Sequence, residues 1–389
     1  MLVLRPDACK IATSHVANRV GRGEGAMRRA GLYRLCFTIL AATGSIPALA
    51  DDTPAKLQPG VRGLVTRAAA KVTVDGSLAE WTGAFCTPLH YGHVRPLERA
   101  SQFFYMWDDE AFYVGLRCLD TKQANPAALA GSFNGDAVEF YLDTRSGDAL
   151  RSKDWTKGAI HFYYTPFDKA EVKPRWVMRK GIATSDTVLT GVEIAATRDS
   201  DHYEIEFKLP WANFPDFKAK VGATIAVDAE LCSGDGGTRT DRTFSYGSPL
   251  SVQQPASLGK VELVSTIAPE FVAQVGPAMF PMWVDTPWVQ SERGQVKAVV
   301  AIPPAFAAAV RLVDVRFHDA DGKVVKTVIA PIEEFGPKGL GFVRAVASWS
   351  VDDFPPGSYF VTSSVWASPG KQIAAVAPRM VDEAIISGR

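Results

Sequence analysis

The chain has 389 residues, enough for two or three domains with sizeable cores. Lys+Arg and Asp+Glu balance at 42 each, which excludes the strongly basic surface of a nucleic-acid binder or of a protein held on anionic membranes. Aromatic residues make up 10% of the chain and many of them fall in strand-like runs, so the predicted class is soluble, globular and β-rich.

Met27 opens a stretch with Arg28, Arg29 and Arg34, followed by the apolar run from Leu35 to Ile46 and by Ala48-Leu49-Ala50. A charged start, a short apolar segment and an A-x-A site describe a secretory signal peptide cut after Ala50. About 12 apolar residues do not span a bilayer, which needs roughly 20. Cys36 has no lipobox-like context, and no later apolar run reaches membrane-spanning length. Residues 1–26 are basic and patternless and read as an extension upstream of a start at Met27, with Met1 the alternative start. Cys86, Cys118 and Cys232 remain beyond the cut, so at most one disulfide forms; Cys118 and Cys232 lie in apolar strand patterns and are expected as buried free thiols. Neither a CxxC nor an HxH or HExxH spacing supports a transition-metal site.

In chain order, Asp51 to Arg67 reads as a polar leader with Pro54 and Pro59. Lys71 to Val74 reads as a strand, followed by a turn at Asp75-Gly76-Ser77 and by Glu80-Trp81. Phe103 to Trp107 and Phe112 to Cys118 flank the acidic break Asp108-Asp109-Glu110, a hairpin with a polar turn. Gly135 to Asp143 is a strand with Val138, Phe140 and Leu142 on its apolar face and Ala137, Glu139, Tyr141 and Asp143 on the other. Further strands are predicted at 159–165, 175–179, 188–195, 203–209 and 223–231. Tyr203, Ile205, Phe207 and Leu209 alternate with Glu204, Glu206 and Lys208 until Pro210 ends the run. Gly259 to Leu263 closes this set. Residues 265–292 form a Pro- and aromatic-rich linker that becomes the first strand of a second domain over 293–389. There Val313, Val315 and Phe317 alternate with polar residues, Asp321-Gly322 supplies a type I′ turn, and Ser368-Pro369-Gly370 turns the strand that begins at Tyr359 back towards Ile373.

The ordered set from Asp75-Gly76 and Glu80-Trp81, through Trp107 to Val114 and Asp136 to Asp143, to Leu209-Pro210-Trp211, Gly222 to Asp228 and Gly259 to Leu263 resembles the family 9 carbohydrate-binding modules, relatives of the DOMON-like β-sandwiches. The resemblance implies an all-β fold with a jelly-roll-type sandwich over 62–264. The segment from Pro356 to Val361 is similar to a late strand of bacterial Ig-like modules, which implies a smaller Ig-like sandwich behind it. In that family a sugar is held between two aromatic walls, with a glutamate and an arginine. The matching positions are Phe133, three residues before Asp136, for the first wall and Glu139 for the glutamate, both side chains expected to face solvent. Tyr163 stands at the arginine position. The second wall falls near Val252, where no aromatic stands, and Tyr246 is the nearest ring. Trp155 and Trp176 follow no core alternation and are added as rings beside the site, whereas Trp81, Trp107 and Trp211 are expected to pack in the core. Structural Ca2+ is also implied, with Asp120, Asp136, Asp228, Asp235 and Asp241 near strand ends as oxygen donors, although no ion is placed.

No nucleophile elbow or P-loop occurs, Asp108, Asp109 and Glu110 read as a solvated hairpin tip rather than paired catalytic carboxylates, and the two β domains are expected to leave no length for a catalytic one. The expected function is therefore that of an exported, non-catalytic binder of oligo- or polysaccharide, working beside a glycoside hydrolase or an envelope partner. Two readings of other classes stand beside it. One is a DOMON-like electron-transfer module with b-type haem on Met106, His161 or Met178; the other is a structural envelope or adhesion protein without a ligand. The export reading has a direct check: N-terminal sequencing of the exported protein should give Asp-Asp-Thr-Pro, and recovery of residues 35–46 intact in a membrane fraction would contradict it.

Overall fold

The computed structural model describes residues 55, 61–81, 84–88, 101–147, 149, 152–178, 188–246, 249–267, 282–285, 294–302, 304–319, 321–334, 343–350 and 359–380. The signal-peptide reading of residues 1–50 and most of the linker reading of 265–292 lie outside these residues. Ala50–Arg389 is one compact unit. Its described part is nearly all β, with several sheets and a single turn of α-helix, and none of its helices is long and apolar enough to cross a membrane.

Twelve strands make the first sheet system: β1 (Gly63–Arg67), β2 (Phe85–Pro88), β3 (Ser101–Trp107), β4 (Ala111–Leu119), β5 (Ala137–Asp143), β6 (Ala159–Asp168), β7 (Glu171–Met178), β8 (Glu193–Arg198), β9 (His202–Pro210), β10 (Thr224–Gly234), β11 (Arg239–Phe244) and β12 (Gly259–Val264). Their order is β7-β6-β5-β10-β12-β1-β3-β4-β9-β8, with β11 beside β10 and β2 beside β3. The sheet folds over so that β5, β6 and β10 face β3, β4 and β9 across one core. Aromatic rings interlock between the layers: Phe112 of β4 lies 6.0 Å from Phe140 of β5, and Phe207 of β9 lies 4.8 Å from Phe162 and 5.2 Å from Tyr164 of β6. Trp107 and Trp211 lie in this core and Trp81 in a smaller cluster outside it, as expected.

Two elements of this sheet system differ from the sequence reading. Gly63–Arg67, read as part of a polar leader, is the strand that joins the two layers, running parallel to both β12 and β3. Cover on both faces explains why β3 is buried along its whole length rather than alternating. The cover on its outer face is the segment 71–81, which is no strand: Val72, Leu78 and Trp81 pack on Phe104, Met106 and Tyr113. The segment is held by a side chain instead of a ladder. Glu206 of β9, fully buried, accepts hydrogen bonds from the Asp75 N–H (2.7 Å), the Gly76 N–H (2.6 Å) and Trp81 Nε1 (2.7 Å). Gly76 has φ +89°, and a Cβ there would stand 2.6 Å from the Ala196 carbonyl carbon, so this position admits only glycine without strain.

The second sheet pair contains β13 (Met282–Asp285), β14 (Gln295–Ile302), β15 (Leu312–Asp319), β16 (Val324–Ile329), β17 (Ile332–Glu334), β18 (Val343–Ser350), β19 (Tyr359–Ser368) and β20 (Lys371–Met380). One sheet has the order β13-β14-β18-β17 and the other β16-β15-β19-β20, with Val300, Val315, Phe317, Trp349 and Val361 in the core between them. The β15–β16 turn is not type I′: the Gly322 N–H donates to the Asp319 carbonyl, Gly322 has positive φ (+84°), Asp319 Oδ1 accepts the N–H groups of Asp321 and Lys323, and a bulge lies at Phe317/His318. Phe360 of β19 joins Val61, Leu64, Val264 and Ile267 in a small cluster between the two sheet systems.

Burial pushes the Glu206 carboxyl up to about 7 despite its three donors. The folded state therefore binds this proton more tightly than the unfolded chain, and the stability it contributes is present below about pH 4.5 and lost as pH rises through about 7. Thermal unfolding of the intact chain should show a melting temperature that falls between pH 5 and pH 8. Glu206→Gln should lower the melting temperature at pH 5 and flatten that fall; an unchanged slope in the variant would place the titration elsewhere.

Candidate functional site

The outer face of β5, β6, β10 and β11 carries the densest set of polar side chains among the described residues. Period-2 alternation puts it there: Val138, Phe140, Ile160, Phe162, Ala229 and Leu231 point into the core, so Glu139, Tyr141, His161, Tyr163, Glu230 and Cys232 point the other way. Glu139 and Glu230 are direct cross-strand partners. They are 2% and 0% exposed, so two carboxylates share one dry site.

Each carboxylate is fully engaged. His161 Nε2 donates to Glu139 Oε2 at 2.7 Å. The Tyr141 hydroxyl lies 2.9 Å from Glu230 Oε2 and 3.2 Å from Glu139 Oε2, donating to one of them at a time. Arg242 of β11 grips Glu230 through Nε and Nη2. Arg239 Nη1 stands 3.4 Å from Glu139 Oε1, 3.6 Å from Glu230 Oε1 and 3.3 Å from Cys232 Sγ. Burial and the Glu139 charge push the Glu230 carboxyl up, while Arg242 pulls against them. Burial, Glu230 and Glu139 likewise hold the Cys232 thiol well above its usual range, so it is a neutral donor rather than a thiolate. Cys118 and Cys232 are both buried and free, as expected.

A ring layer surrounds this core of charge. Tyr141 stacks on His161 at 4.2 Å, and Trp155 lies 6.0 Å from Tyr141 and 5.8 Å from His161. Trp155 arrives on a loop pinned by Arg145, which pairs with Asp143 at the end of β5 and donates to Thr156 Oγ1 and the Asp154 carbonyl. On the other side Phe133, half-buried in the turn Leu129–Asn134, meets Tyr163 edge-on at 5.8 Å and carries the Arg239 guanidinium over its ring at 5.4 Å.

Four of the six sequence-derived residues thus converge here: Phe133, Glu139, Tyr163 and Trp155. Glu139 was expected to face solvent, but the turn and β11 close over it. Tyr246 belongs to the main core, on the opposite side of the sheet. Trp176 also faces that core, edge-on to Phe162 at 6.4 Å, because it sits out of phase with Tyr163. Arg239, Arg242 and Glu230 were missed. The polar run Arg239-Thr240-Asp241-Arg242-Thr243 hid β11, although Gly234-Asp235-Gly236-Gly237 after an apolar strand is a hairpin signal.

Other ligand readings fare differently in the geometry. Met106 lies under Trp81, Met178 on the main core and His161 on the outer face, so the three haem candidates lie in three separate environments. Asp136 accepts the N–H groups of Ala124 and Gly234, and Asp228 accepts those of Ala229 and Tyr246 and the Ser251 hydroxyl, so both staple the backbone. The ligand atoms of Glu139, Glu230 and Cys232 lie within 4.8 Å of one another, and the cation they hold is the Arg239 guanidinium. Away from the cluster, a cavity of about 170 Å³ opens among Thr144, Arg145, Lys157, Asn213 and Asp216.

Residues 90–266 match the family model described as carbohydrate family 9 binding domain-like. No curated protein matches the chain. Two solved structures of a carbohydrate binding module family 9 from Caldicellulosiruptor kristjanssonii, one with glucose and one with cellotriose, are similar to it at 15% and 16% identity. Each covers 55% of this chain, with 98% and 99% of the module aligned and a TM-score of 0.42 in both cases.

The closed cluster leads to a stability prediction. Glu139→Ala removes the acceptor of His161 Nε2 and one acceptor of Tyr141 and leaves a void beneath Arg239. It should cost about 1–3 kcal/mol in denaturant unfolding. Loss of less than about 0.5 kcal/mol, the usual range for a surface change, would mean that Glu139 is not sealed in.

Proposed function

We propose that this chain, whose residues 90–266 form a carbohydrate family 9 binding domain-like region, binds oligo- or polysaccharide without catalysis through the outer face of β5, β6, β10 and β11. The observation that carries the reading is Arg239 held over Phe133, above two sealed carboxylates, within the matched region. A sugar offers hydroxyls and C–H faces; the guanidinium edges and the exposed part of the Phe133 ring supply donors and an apolar surface for both. Glu139 then acts as the anchor of Arg239 and not as a direct ligand, since it is sealed from solvent.

Export by the signal peptide ending at Ala50 and work beside a glycoside hydrolase or an envelope partner complete the proposal. An Ig-like second domain serves as spacer or partner-binding module. Its support is the strand order, β13-β14-β18-β17 against β16-β15-β19-β20, which has the arrangement of an ABED sheet facing a CFG sheet with one added edge strand.

A glycan array probed with the chain from Asp51 onward should give saturable signals. For the best glycan, Phe133→Ala should weaken binding about 5- to 10-fold by calorimetry, because it removes both the ring and the shelf under Arg239, a contact worth about 1 kcal/mol. An array without signal, or an affinity unchanged in Phe133→Ala, would overturn the assignment of this face.

A further inference from the structure

The guanidiniums of Arg239 and Arg242 differ in one respect from every other charged group in the cluster: they reach the surface. Their side chains are 22% and 29% exposed, whereas the carboxylates behind them are sealed. Arg239 spends Nη1 on Glu139, Glu230 and Cys232, and Arg242 spends Nε and Nη2 on Glu230. Among the described residues, Nε and Nη2 of Arg239 and Nη1 of Arg242 have no acceptor. Both guanidiniums contact the same oxygen, Glu230 Oε1, so they stand side by side with their remaining donors turned outward. A guanidinium has donors only, and such an edge is best completed by a group that only accepts.

The aromatic component of the site points the same way. One face of Phe133 is taken by Arg239 and the ring makes an edge-to-face contact with Tyr163, so it positions a charge more than it offers a stacking platform. No aromatic stands at the second-wall position near Val252, which packs with Leu258 against Tyr141, Trp155 and Ala159. Recognition at this face therefore falls on the arginines.

Resting on the carbohydrate reading above, we infer that the ligand is an acidic saccharide whose carboxylate or sulfate ester is held between the outward edges of Arg239 and Arg242. The sealed carboxylates fix the two forks, and the anionic group of the sugar accepts the donors left on their outward edges. Salt weakens such a contact, because the outward edges are open to solvent.

Calorimetric titration of the intact chain from Asp51 onward tests this with oligogalacturonate, oligoguluronate and oligoglucuronate, each beside its methyl ester, and with a sulfated galactan beside its desulfated form. At least one acid should bind, about 10- to 100-fold more tightly than its uncharged counterpart, the range of a charge-assisted hydrogen bond. Binding by uronates alone or by the sulfated galactan alone identifies the anionic group. Arg239→Gln should reduce that preference, and Arg239→Lys should keep part of it; the comparison within the wild-type protein stands even where a variant folds poorly. Equal affinity for acid and ester would overturn the acidic class while leaving carbohydrate binding intact. Binding of neutral glycans alone would do the same. No binding of any saccharide, acidic or neutral, would overturn both.

Discussion

Two carboxylates face each other across neighbouring strands in the interior of the protein, and the neighbouring architecture answers that constraint. Glu139 and Glu230 are each almost wholly removed from water, where a like-charged pair is tolerated only with dense compensation. Compensation comes from four directions: His161 from β6, Tyr141 from β5 itself, and Arg239 and Arg242 from β11. Among the described residues β11 is short and pairs with β10 alone, so the arginine–carboxylate contacts tie it to the sheet as much as its ladder does. Removing the pair would leave two guanidiniums without anchors and an edge strand without its main side-chain attachment.

The same device recurs on the opposite outer face with another outcome. There a single buried carboxylate, Glu206, gathers three N–H donors and binds a strap of chain to the sheet. All its donors come from the strap, which covers the sheet over Glu206, and Trp81 packs in that cover. On the Glu139 side the donors are long, flexible arginines whose far edges remain open. One face is thereby sealed by backbone and the other ends in a charged rim, which is the difference between a structural attachment and a surface able to take a ligand.

How much of this is legible in the sequence follows from what each residue interacts with. Local alternation identified β5, β9 and the β3–β4 hairpin, because their apolar faces meet one common core. It also placed Glu139 and Tyr141 on one face together. Alternation says nothing about what covers a face, so Glu139 read as exposed when β11 and the 129–134 turn lie over it. The segment 71–77 looks like a strand by composition, but its hydrogen bonds go to a side chain 130 residues away, which no local pattern encodes. Trp176 and Tyr246 were drawn to the site by residue type; their phase on β7 and their place at the end of β11 turn both into the core. Arg239 and Arg242 went unread because a polar edge strand lacks the apolar period that marks a buried one.

The central claim, that the face bearing Arg239 and Arg242 is where a saccharide binds, is tested most directly by hydrogen exchange of the intact chain with and without a saturating oligosaccharide. Among the described residues β11 pairs with β10 alone and the turn at 129–134 lies outside the sheet ladders, so their amides exchange through local opening that a ligand bridging them would suppress. Slower exchange confined to Arg239–Phe244 and Leu129–Asn134 is the expected result. Protection at the cavity formed by Thr144, Arg145, Asn213 and Asp216, or on the sheets beyond Met282, with β11 unchanged, would contradict it.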